Sequence, residues 1–110
     1  MKLLVIDWCA DSATSTLLAS CKTPQHTIVG FELKDGAEAY RKTGVLKPDA
    51  IIINYAAKPS HGRMTADSIH KRKLTSEIPI YFINGEEDDN ERVSHLGVCL
   101  SSEELEDMLL

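Results

Sequence analysis

Five apolar runs punctuate the chain, and each is followed by a polar stretch carrying a helix-start signal. That alternation predicts βαβαβαβαβα, a parallel sheet flanked by helices. The first strand is Leu3 to Asp7, and Asp11 or Ser12 is placed to cap a helix whose Ala13, Leu17 and Cys21 recur on one face until Pro24 breaks it. Thr27 to Phe31 form the second strand; Asp35 and Glu38 have the spacing that opens a second helix, and Gly44 is placed to end it. The third strand, Ala50 to Asn54, is continuously apolar instead of alternating, which predicts burial on both faces and a place near the sheet centre. After a loop holding Pro59 and Gly62, a third helix is expected from Thr65 to Leu74, then a fourth strand from Ile78 to Ile83 with Pro79 near its start. Asp88 and Glu91 open a short fourth helix through Leu96, and Val98 to Leu100 form a short strand of edge type. Ser101 and Glu104 have capping-box spacing ahead of Leu105, Met108 and Leu109, which share one helical face.

Composition narrows the class. A chain of 110 residues, 43% of them hydrophobic, suits one compact domain over its whole length. The apolar stretch at Leu3 to Ile6 is too short for a signal peptide or a membrane span, which predicts a cytoplasmic protein. Cys9, Cys21 and Cys99 are odd in number and lack metal-ligand spacing, so reduced thiols are expected. A net charge of -5 argues against nucleic acid or an anionic membrane as partner. The run His70-Lys71-Arg72-Lys73 is best read as a solvated helix face, and His26, His61, His70 and His95 show no paired ligand spacing.

Several segments match one family in order. Val5-Ile6-Asp7 ends the first strand on an acid, Asp35-Gly36-Ala37-Glu38-Ala39 opens the second helix, Lys47-Pro48-Asp49 leads into Ala50-Ile51-Ile52-Ile53-Asn54, and Ile78-Pro79-Ile80 begins the fourth strand. Together they resemble the response-regulator receiver (CheY-like) domain over nearly the whole chain. That resemblance implies a flavodoxin-like doubly wound α/β fold, (βα)5, whose five-stranded parallel sheet has the order 2-1-3-4-5. The site would lie beyond the carboxyl ends of the strands, at the topological switch point.

Carried over position by position, the resemblance implies a pocket stripped of its chemistry. The phosphoacceptor aspartate is replaced by Asn54, and a neutral carboxamide has no anionic oxygen with which to form an acyl phosphate. The acidic pair that helps to hold magnesium is Asp7 and Trp8, so magnesium binding is expected to be weak or absent and no other cofactor is implied. The switch hydroxyl ending the fourth strand is Asn84, and the conserved-pattern lysine after the fifth strand falls on Ser101 or Ser102, with no lysine anywhere beyond Lys73.

The expected function is therefore that of a pseudo-receiver: not an enzyme, not phosphorylated at the usual position, and acting through a protein partner or a homodimer in a two-component-type signalling system. By resemblance its interaction face spans roughly Asn90 to Leu110, with Val93, Leu96, Leu105, Met108 and Leu109 as candidate apolar contacts. Those same residues equally suit the domain core. An alternative is a small-molecule sensor using the vacated pocket of Asp7, Trp8, Asn54 and Asn84. The least favoured alternative is a thiol redox protein, because Trp8-Cys9 resembles the thioredoxin active site but the second cysteine's place holds Ser12. Plainer roles also exist: Trp8 as a packing residue, Asp7 as an acceptor for helix amides, and Asn54 and Asn84 paired with each other through their amides.

Overall fold

A computed structural model describes residues 1–110. Five parallel strands form one sheet in the order β2-β1-β3-β4-β5. They are β1 (Lys2–Ile6), β2 (Thr27–Glu32), β3 (Ala50–Asn54), β4 (Ile80–Ile83) and β5 (Val98–Leu100). Helices α1 (Thr16–Cys21), α2 (Gly36–Leu46), α3 (Pro59–Lys71), α4 (Glu87–Glu91) and α5 (Ser102–Leu109) alternate with them. The doubly wound fold expected from the sequence is the fold observed.

Continuous apolar strands make sense in this setting because successive side chains point to opposite faces and both faces are covered. Leu4, Ile6, Ile51, Ile53 and Phe82 face one core with Ala39 of α2 and Ala66 and Ile69 of α3. Leu3, Val5, Ala50, Ile52 and Ile83 face the other, with Leu17, Leu18 and Cys21 of α1 and Leu105 and Leu109 of α5. In register, Ile6 lies beside Ile53, Asn54 beside Ile83, and Ile83 beside Leu100. The residues that end or follow these strands, Asp7, Asn54, Asn84 and Ser101, are thereby delivered to one edge of the sheet.

Several element boundaries differ from the sequence expectation, each for a local reason. Asp11 caps a separate 3-10 turn, Ser12–Thr14, with exposed Ala13 inside it; Ser15 caps α1 by accepting from the Leu18 amide at 3.0 Å. Gly44 does not end α2, which continues to Leu46 and stops at Lys47 in the left-handed region, φ 46°. Gly44 is instead a contact point: a Cβ there would lie 2.3 Å from Arg72 Nη1. Helix α3 begins six residues earlier than expected, at Pro59 instead of Thr65. Proline suits the first helical position, where no amide partner is needed, and Gly62 lies within α3 where a Cβ would come 3.0 Å from the Tyr55 ring. Strand β4 starts at Ile80, beyond Pro79, and α4 ends at Glu91 before a run of turns through Leu96.

Candidate functional site

Asp7 follows β1 and is 3% exposed, so its carboxylate oxygens need partners from the protein. Its Oδ1 accepts from Asn54 Nδ2 at 2.9 Å and from the Trp8 amide at 2.7 Å; its Oδ2 accepts from Ser15 Oγ at 2.8 Å. Ser15 is also the α1 cap, so one buried carboxylate ties the ends of β1 and β3 to the start of α1. Asp7 is a hydrogen-bond acceptor, but its donors are the Trp8 amide and two side chains instead of the helix amides expected. Asn54, half-buried at the end of β3, is the group that completes it.

Asn84 and the two serines form a second, separate cluster. Asn84 adopts φ 60°, a left-handed conformation that asparagine tolerates better than most residues. Its Nδ2 donates to Ser102 Oγ at 2.6 Å, and the Ser102 amide donates back to Asn84 Oδ1 at 2.9 Å. Ser101 Oγ accepts from the Glu104 amide while Glu104 Oε1 accepts from the Ser101 amide, the expected capping box. The pairing of Asn54 with Asn84 does not occur: Asn54 turns to Asp7, and Asn84 turns to the start of α5.

Trp8 is half-buried, packs against the core cluster beneath α2 and α3, and meets His61 of α3 edge to face with ring centroids 5.9 Å apart. The sequence reading missed Tyr55, which follows Asn54 and is fully buried. Its hydroxyl donates to the Asp89 carbonyl at 2.7 Å and accepts from Arg63 Nη1 at 3.2 Å, and Arg63 pairs with Asp89 Oδ1 at 3.2 Å. This cluster joins α3 to α4 directly behind Asn54. The signal for it was the flanking Gly62 and Gly85, both packed against the Tyr55 ring.

The receiver fold implies a magnesium ion at this edge, and the residues present do not fit one. Both oxygens of Asp7 are turned to donors, the neighbouring position offers an indole, and the third offers an amide whose Nδ2 faces Asp7. Magnesium requires several oxygen ligands in near-octahedral array.

The proposed apolar interaction face is corrected. Val93 is 0%, Leu105 and Leu109 are each 1%, and Leu96 is 8% exposed; all four belong to the two cores, and Met108 is half-buried against one of them. With an edge strand of only three residues, the turns after α4 and the apolar stripe of α5 are spent closing the domain. The thiol alternative also loses its premise. Cys9 precedes a three-residue 3-10 turn and donates to the Asp11 carbonyl at 3.3 Å, so it does not sit at the start of an α-helix. Burial pushes the Cys21 thiol up to about 11 and raises Cys99 as well, away from nucleophilic behaviour.

Comparison with solved structures places the fold. The chain is similar to the response regulator domain of Thermotoga maritima CheB, with a TM-score of 0.69 at 21% identity, covering 99% of this chain and 92% of that one. It is similar also to the signal receiver domain of a modulated diguanylate cyclase from Desulfovibrio desulfuricans G20, with a TM-score of 0.68 at 20% identity over 98% of this chain and 86% of that one. No family model matches the chain, and no curated protein matches it. The architecture is that of receiver domains.

Proposed function

We propose that this chain is a receiver-like signalling module that does not accept a phosphoryl group and works by holding a protein partner of basic surface. The observation that carries the reading is the 2.9 Å hydrogen bond from Asn54 Nδ2 to Asp7 Oδ1. An aspartate at position 54 would set two carboxylates against each other there, a clash that receivers relieve with a cation; the amide relieves it internally. Ser102, one of the two serines near the expected lysine position, is likewise absorbed by Asn84, leaving no convergent cationic group for phosphoryl oxygens.

The partner's character follows from charge. Helices α4 and α5 flank β5; α4 is wholly polar and α5 buries its apolar stripe, so they expose Glu87, Asp88 and Glu91 on α4 and Glu103, Glu106 and Asp107 on α5. A homodimer through this face would oppose like charges, whereas a basic protein surface would be drawn to it. The same acidity disfavours nucleic acid and anionic lipid. A ligand in the vacated pocket is less well supported, because the polar groups meant to greet it already bond to one another.

The test is incubation with acetyl phosphate and magnesium, read by intact mass. A single unmodified species is expected. A hydroxylamine-sensitive phosphoryl adduct would overturn the reading.

A further inference from the structure

Between α2 and α3, apart from the Asp7–Asn54 cluster, lies a cavity of about 680 Å³. That size is within the range of about 300–1,000 Å³ typical of sites for small organic ligands. Its walls combine the Tyr40 ring and the Met64 side chain with the hydroxyls of Thr65 and Ser68, and Lys71 and Arg72 stand at one end. Met64 is exposed on the cavity wall and adds apolar surface beside the Tyr40 ring.

The guanidinium here is oriented but unpaired. Arg72 is half-buried, its guanidinium lies 4.9 Å over the Tyr40 ring, and its inner edge rests on Gly44, which keeps the planar group fixed. No carboxylate lies within 4.0 Å of it, since the chain's ion pairs are Arg41–Glu38, Lys42–Glu32, Arg63–Asp89 and Lys71–Asp67. Its side chain makes no hydrogen bond to the protein. Thr65 is 5% exposed, and its hydroxyl likewise has no protein partner; it faces Gly36, where a Cβ would come within 2.6 Å and cover it. A guanidinium held in one orientation at a cavity, with no carboxylate of its own and a free hydroxyl nearby, is a ready anchor for an acceptor supplied from outside the protein.

From this we infer that the α2–α3 cavity binds a small monocarboxylate with a flat apolar body. The carboxylate would take the fork of Arg72, which suits two coplanar acceptor oxygens, and the body would lie along Tyr40 and Met64. One negative charge is the right number. Lys71 is already paired with Asp67 at 2.8 Å, so Arg72 is the single uncompensated cation of the pair at this end, and a phosphate dianion would bring a charge too many. His61 also lines the cavity and touches Trp8, which gives occupancy a physical route to the strand-end cluster.

The probes are 2-naphthoate, the neutral 2-naphthylmethanol and 1-naphthyl phosphate, each titrated into the full chain while backbone amide shifts are followed. Naphthoate is expected to give saturable shifts centred on residues 36–44 and 61–72 and extending to Trp8 through His61, with the alcohol binding about tenfold or more weakly and the phosphate no better than the carboxylate. Arg72→Gln should weaken naphthoate by a similar factor, judged only if its spectrum retains folded dispersion. Ala37→Trp, at an exposed position on the cavity wall, should block binding without touching the guanidinium. Absence of saturable shifts in the folded wild type, equal binding of the alcohol, tighter binding of the phosphate, or full affinity in Ala37→Trp would each overturn the assignment.

Discussion

Asn54 donates where an aspartate would repel, and the difference is one nitrogen facing Asp7 Oδ1 at 2.9 Å. Replacing it, Asn54→Asp, removes the donor and sets two carboxyl groups in contact, so at neutral pH one must take up a proton or the pair must part. Urea unfolding should show a loss of about 1–3 kcal/mol at pH 7, shrinking under acid conditions where the new carboxyl is protonated and can donate. Cys21 supplies a second residue-scale test. Its thiol pKa is raised from 9.0 to about 11 by burial, so between those values the unfolded chain has released a proton that the folded chain still holds. Stability is therefore full below pH 9 and falls as pH rises toward 11. In Cys21→Ala that part of the alkaline decline should disappear, whatever the substitution costs at neutral pH.

At the scale of elements, the β2–α2 connection is organised by one carboxylate. Glu32 Oε2 accepts from the Lys34 and Asp35 amides at 3.1 Å each, and Oε1 accepts from Lys42 at 2.8 Å. Burial alone would raise its pKa, but the Lys42 ammonium and the two amides outweigh it and hold it below the usual carboxylate range. A lowered folded value means stability that is present above the unfolded value and lost as pH falls through the folded one. Glu32→Gln should thus lower the melting temperature at pH 7, with the gap to wild type closing as pH falls below about 4. The strands were legible because burial on both faces leaves an unbroken apolar run, as at Ala50 to Ile53. The helices were less so. Pro59 and Gly62 have the composition of a loop, yet proline fits the first turn of α3 and Gly62 makes room for Tyr55. Gly44 has the look of a helix stop but is an interior seat for Arg72. An amphipathic stripe such as Leu105, Met108 and Leu109 reveals a helix face without revealing whether the domain's own sheet or a partner will cover it.

For the whole molecule, the parallel sheet explains both what was legible of the candidate site and what was not. Parallel strands bring their carboxyl ends to one edge, so Asp7, Asn54, Asn84 and Ser101 could be placed near one another from strand endings alone. Their partners could not, since these depend on distances across the sheet and on the left-handed turn at Asn84, which aims its amide at Ser102 and away from Asn54. The outcome is two closed polar clusters at the carboxyl ends of the strands. The most direct test records amide chemical shifts with magnesium alone and then with magnesium and beryllofluoride, a phosphoryl mimic. The closed arrangement predicts that Asp7, Trp8, Asn54, Tyr55 and Asn84 stay where they are in both titrations; saturable shifts at these residues in either one would contradict it.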